Sequence, residues 1–156
     1  MAKTLCLRHS MQDSGLTIEA LLPHRGRMLL LGEVLQADKA EAVSRQRVDG
    51  RWPLSDGESV NPIVLIELVA QTAGICNGID RVATHGAEAD RKGWLVGIKK
   101  ASLEIDRLPI GAEIIVKAKN HFVFESFREI GGTAHMEGRQ IAEVVLQVVR
   151  AEAEEQ

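Results

Sequence analysis

An apolar run at residues 62–79 contains a single carboxylate, Glu67, set in Leu65-Ile66-Glu67-Leu68-Val69. Apolar surroundings disfavour the charged form of a carboxyl and are expected to raise its pKa. A carboxyl held protonated near neutral pH can serve as a general acid. Gln71 follows one helical turn later, on the same face, within reach of a hydrogen bond to it. Glu67 could instead be a dimer contact or a water-bonded polar residue. A desolvated carboxyl with no task is costly, however, and the balance favours function. Partners for proton transfer are sparse. His24 follows a short apolar turn, His85 lies in a polar stretch, and His121 and His135 fall on expected strands. Cys6-x-x-His9 has the spacing of half a zinc site with no second pair, so neither a metal nor another cofactor is expected.

The elements that must position these groups can be read from periodicity and punctuation. Residues 1–16 form an irregular polar arm. Thr17 can cap a turn over Ile18-Glu19-Ala20-Leu21-Leu22, which Pro23 stops. Strands are expected over 28–35 and 40–48, followed by a loop over 50–59. Asn61 as N-cap and Pro62 in the first helical position open a helix over 63–79. It is apolar on nearly every face, as enclosed helices are. Strands are then expected over 93–99, 102–106, 113–124, 125–136 and 139–150, divided by turns such as Glu137-Gly138. The fold class is α+β: one long helix wrapped by a curved antiparallel sheet over residues 17–150, with an acidic tail at 151–156. The open edge of such a sheet would be hidden by a second copy, so a homodimer or higher homo-oligomer is expected.

Composition narrows the partners. A net charge of −3 with no dense Lys/Arg block argues against nucleic acid or an anionic membrane surface. The first residues lack an apolar secretory core, and Cys6 and Cys76 make no disulfide framework. A reducing, cytoplasmic setting follows as the expectation.

Three blocks carry a family resemblance. Leu22-Pro23-His24-Arg25-Gly26-Arg27-Met28-Leu29-Leu30-Leu31 resembles the LPHR entry segment of the 3-hydroxyacyl-[acyl carrier protein] dehydratases. Glu67-Leu68-Val69-Ala70-Gln71-Thr72-Ala73-Gly74 resembles their central helix, with its Glu-x-x-Ala-Gln-x-Ala-Gly hallmark. Gly97-Ile98-Lys99-Lys100-Ala101 and Pro109-Ile110-Gly111 are similar to the family's following strand and turn. The blocks keep the family's order and together span about residues 17–150.

The resemblance implies a hotdog fold and an acyl thioester of acyl carrier protein or coenzyme A as ligand. It also implies fatty-acid or polyketide-type metabolism and lyase chemistry. In that family a loop His is the base, the helix Glu is the acid, and a glycine N–H five residues before the Glu holds the thioester oxygen. Glu67 matches the acid. The loop reads Gly50-Arg51-Trp52-Pro53-Leu54, which places Arg51 or Trp52 where the base would be, and neither can take a carbon-bound proton. Pro62 stands at the oxygen-holding position and has no N–H, leaving Ile63 and Val64 as substitutes. Glu67 is therefore assigned as catalytic, with Trp52, Ile63, Val64, Gln71 and His24 at the substrate. The resemblance gives His24 a mainly structural role. Three activities stay open because fold does not settle function: dehydratase, thioesterase using Glu67 on water, and acyl binding without turnover.

Overall fold

The computed structural model describes residues 15–90 and 92–151. The N-terminal arm up to residue 14, with Cys6 and His9, and the tail from 152 lie outside the described residues. The described residues open on α1 (Ile18–Leu21), capped as expected by the Thr17 hydroxyl, which accepts the Ala20 N–H. A 3-10 turn (Gly26–Met28) leads to β1 (Glu33–Ala37) and β2 (Glu41–Arg47). The expected first strand thus begins later than its apolar run: Met28 belongs to the 3-10 turn, and over residues 29–32 the chain is irregular, with the Leu30 N–H bonded to the Gln71 side chain instead of a strand. A short β3 (Ser59–Val60) precedes α2 (Val64–His85). The strands β4 (Gly93–Leu103), β5 (Leu108–Pro109), β6 (Glu113–Phe124), β7 (Phe127–Met136) and β8 (Arg139–Arg150) follow. β3 and β5 pair with each other as a small separate ribbon.

Six strands form one antiparallel sheet in the order β1-β2-β6-β7-β8-β4. The two strands expected over 93–99 and 102–106 are one strand, β4. Its register slips between Leu95 and Gly97 and again between Ile98 and Lys100, so the chain bends without breaking its pairing with β8. Such bulges break the alternation from which a strand is recognised in sequence. Glu137 and Gly138 both take positive φ, closing β7 onto β8 with the two-residue turn expected there.

α2 lies across the sheet against β2, β6, β7 and β8. Its 22 residues span about 33 Å at 1.5 Å per residue. The helix continues past Ile79 to His85 and ends at Gly86, whose φ of 83° and ψ of 177° are open to glycine. Leu65, Leu68, Val69, Ala73 and Ile75 are fully enclosed and meet Ile114, Val116, Ile130, Val144 and Leu146 from the sheet. Close approach is permitted by Gly132 of β7, where a Cβ would lie 2.5 Å from the Val69 Cγ1. The two hydroxyls that enter this core satisfy each other: Ser44 Oγ and Thr72 Oγ1 are 2.8 Å apart, and Thr72 also donates to the Leu68 carbonyl. Cys76 is buried there, and desolvation pushes its thiol up to about 12, so it stays protonated and unreactive.

Candidate active site

The helix is not enclosed on every side. One stripe, running from Glu67 through Ala70, Gly74 and Asn77 to Arg81, forms the floor of a groove of about 340 Å³. The fourteen-residue step from Glu67 to Arg81 makes the stripe about 21 Å long. The opposite wall comes from the start of β4, at Trp94 and Leu95, and from Val148 and Arg150 on β8. His24 and Pro23 close the Glu67 end.

His24 Nε2 sits 3.2 Å from Glu67 Oε1, with roughly a third of each side chain exposed (31% and 36%). Gln71 donates to the same oxygen at 2.8 Å through Nε2, which also donates to the Met28 carbonyl at 2.7 Å. The Gln71 Oε1 accepts the Leu30 N–H at 2.9 Å. One fully buried amide therefore ties the helix to the segment after His24 and orients the carboxyl at the same time.

These contacts reverse the expected ionisation of Glu67. Burial pushes the carboxyl up, but the hydrogen bonds from His24 and Gln71 and the attraction of a charged imidazole outweigh it. The carboxyl lies below its ordinary value and is ionised at neutral pH. Apolar sequence neighbours misled because α2 turns them into the core while Glu67 shares its own stripe with polar partners. The His24 Nδ1 is enclosed and has no hydrogen-bond partner among the described residues, while Nε2 faces Glu67 at the groove.

The other expected site residues fall elsewhere. Trp52 is 5% exposed and packed in the hydrophobic core, as a large apolar ring in a short loop tends to be, and it does not line the groove. Arg51 turns outward and pairs with Asp49 at 2.8 Å. The N–H groups of Ile63 and Val64 are not free: Asn61 Oδ1 accepts the first at 3.0 Å and the Asn61 carbonyl the second at 3.2 Å. The helix begins later than its punctuation suggested, at Val64 with Ile63 as N-cap, and Asn61 instead closes the turn just ahead of it, taking the donors that were assigned to the thioester oxygen. The Ile63 side chain is exposed, that of Val64 is buried, and neither lines the groove. Gln71 acts behind Glu67 rather than on the groove wall.

His24 is the group that sequence reasoning undervalued. The available signal was the spacing of Gly74 and Gly78, which continue the stripe of Glu67 and Gln71 at helical intervals and mark where another segment can approach. Among the described residues, no group of three or more His, Cys, Asp or Glu side chains is placed to hold a metal ion. No described helix is long and apolar enough to cross a membrane.

Against known families, the ApeP-like model, described as ApeP dehydratase, matches residues 16–156. The chain belongs to the ApeP-like dehydratase family. No curated protein matches it in sequence. Among solved structures, the dehydratase heterocomplex ApeI:P from Xenorhabdus doucetiae aligns with a TM-score of 0.78 at 20% identity, over 88% of this chain and 92% of that one. The PaaI protein of the E. coli phenylacetic acid degradation operon aligns at 0.57 and 12% identity, over 76% and 82%. A hypothetical thioesterase with coenzyme A from Streptococcus pneumoniae aligns at 0.56 and 11%, over 75% and 83%. At these identities the likeness establishes the fold, which is the hotdog fold. Within it, this ApeP-like chain has a groove that holds a His–Glu pair from one polypeptide.

Proposed function

We propose that this ApeP-like protein dehydrates 3-hydroxyacyl thioesters, and hydrates the corresponding enoyl thioesters in reverse, with His24 and Glu67 as the reacting pair. The single observation that carries the reading is their 3.2 Å contact at the end of an acyl-sized groove. The ionised Glu67 takes the proton alpha to the thioester carbonyl, and the Cα–H electrons form the new double bond as the C–O bond breaks. Protonated His24 gives its Nε2 proton to the departing hydroxyl, which leaves as water. The proton now on Glu67 returns to Nε2 across the same contact, and the pair is restored. Glu67 thus serves as base in this direction and as acid in the reverse one, so the expected acid role belongs to hydration.

The test is hydration of short and long enoyl thioesters carried on coenzyme A and on acyl carrier protein, followed by loss of the conjugated absorbance. The expected result is turnover on at least one of these carriers. Absence of turnover over all chain lengths on both would overturn the reading. A thioesterase is the second reading, favoured by the ionised state of Glu67, which suits activation of a water as well as abstraction from carbon. Release of free thiol from saturated acyl thioesters would identify it.

A second copy is proposed to cover the free edge of β4. Trp94, Leu95, Val96 and Ile98 are all about half exposed or more, on a strand that among the described residues pairs with β8 alone. Edge strands with apolar side chains on both faces are hazards unless another chain covers them. Val96→Asp is expected to halve the mass measured by sedimentation. A wild-type chain that sediments as a monomer would remove the homodimer. Because the Xenorhabdus relative is a heterocomplex, a different hotdog chain would then be the occupant to look for.

A further inference from the structure

The entry segment that brings His24 to Glu67 has little intrinsic reason to hold its shape. α1 is a single turn of four residues, far below the length at which an isolated helix is stable. Pro23 follows directly after Leu22. In a continuing helix the Glu19 carbonyl would accept from the residue four positions on, which is Pro23, and proline has no N–H.

Arg25 fills this gap. Its guanidinium donates to the Glu19 carbonyl at 2.9 Å through one terminal nitrogen. The other donates to the Leu22 and His24 carbonyls, both at 2.7 Å. One side chain thus binds the end of α1, the residue before Pro23 and the backbone of His24 itself. Charge-assisted bonds of this kind are shorter and stronger than neutral ones.

Below this clamp the depth of α1 is set by two glycines of α2. A Cβ at residue 78 would lie 2.7 Å from the Leu21 carbonyl oxygen, and one at residue 74 would lie 2.7 Å from Leu22 Cδ2. Residues 67, 71, 74 and 78 share one helical stripe, so a segment seated on 74 and 78 is delivered towards 67. Gln71 then fixes the chain on the far side of His24, at Met28 and Leu30.

We propose that Arg25 is a positioning residue that holds the His24 imidazole against Glu67, working over the seat made by Gly74 and Gly78. The proposal rests on the reading of His24 and Glu67 as the reacting pair, but its first test does not need turnover. In the full-length protein, the Glu67 carboxyl carbon can be titrated by NMR in wild type, Arg25→Ala and Gly78→Ala. Loss of the His24 contact removes an interaction that lowers the Glu67 pKa while its burial persists. Both variants should therefore titrate at higher pH than wild type.

In steady-state assays, Arg25→Ala should lose on the order of 10- to 100-fold in kcat with KM nearly unchanged, since displacement of about 1 Å has effects of that size. Low concentrations of guanidinium ion should restore part of the rate to Arg25→Ala and none to wild type. A Glu67 titration in Arg25→Ala that coincides with wild type would overturn the proposal, as would an unchanged kcat. Should Arg25→Ala not fold, Arg25→Lys decides by the same titration, because the single nitrogen of a lysine cannot stand at both terminal positions of the guanidinium and so cannot bridge the Glu19 carbonyl to those of Leu22 and His24. If wild type turns over no thioester while the titrations shift as described, the positioning role stands and the proposed activity falls. If wild type turns over thioesters and the titrations do not shift, the activity stands and the positioning role falls.

Discussion

Glu67→Gln is expected to lower enoyl-thioester hydration by a factor on the order of 10²–10⁴, the range for loss of a positioned acid or base. Glutamine preserves the length and shape of the side chain and can still meet His24 Nε2 and the Gln71 amide, so folding should be nearly unaffected. What disappears is the ability to take or give a proton. A variant with wild-type turnover and wild-type melting temperature would show that Glu67 is not a reacting group. The pH dependence of kcat/KM for dehydration, the direction in which Glu67 is the base, offers a second check on the same residue. Because the native carboxyl lies below its ordinary value, Glu67 stays ionised to lower pH than a free carboxylate. The acid limb of the profile should therefore fall below the usual carboxylate range. Linkage gives the corresponding sign for stability. A carboxyl with a depressed native pKa contributes stability above its unfolded-state pKa, and this is lost as pH falls through the native value. In Glu67→Gln that part of the acid sensitivity should vanish, as measured by melting temperature against pH. With about a third of the side chain in solvent, the contribution is discounted for screening.

Gln71→Leu should give the largest stability loss of the site substitutions. Gln71 is fully buried and makes bonds to the Leu30 N–H, the Met28 carbonyl and Glu67. Leucine matches its bulk and supplies none of these bonds. The buried Leu30 N–H would then lack a partner, at a cost of about 1–3 kcal/mol, with a smaller loss at the half-exposed Met28 side. For a chain of this size each 1 kcal/mol moves the melting temperature by about 2–4 °C, so a fall of roughly 5–10 °C is expected. Activity should also decline, because the carboxyl loses one of its two donors and the segment after His24 loses its tether. Gln71→Glu is the informative companion. It keeps an acceptor for Leu30 but places a second carboxyl beside the first, so the two should titrate as a coupled pair. A melting temperature unchanged in Gln71→Leu would mean that water replaces the amide, and the tether would carry no weight.

The overall plan of this protein was legible in its sequence, and for identifiable reasons. Thr17 as cap, Pro23 as stop, Asn61 and Pro62 just ahead of the helix and Glu137-Gly138 as a tight turn are local devices, each acting through its own backbone. Strands β6 and β8 occupy the ranges read from alternation and turns. β4 was harder because its bulges interrupt the pattern, and α2 ran six residues beyond its apolar run because a polar final turn still continues to the first residue at positive φ.

The site was legible only in part. The residue types were enough to single out Glu67 and to pair it with Gln71, since both lie on one helical face and face is a property of spacing. The ionisation of Glu67, its partner His24 and the fate of the Asn61, Ile63 and Val64 groups were decided by tertiary contacts between segments some forty residues apart or by the geometry of the turn ahead of the helix. Local sequence specifies which backbone and side-chain groups need partners. Which partner each one finds depends on how closely two segments can approach, and here a pair of glycines and one arginine set that distance.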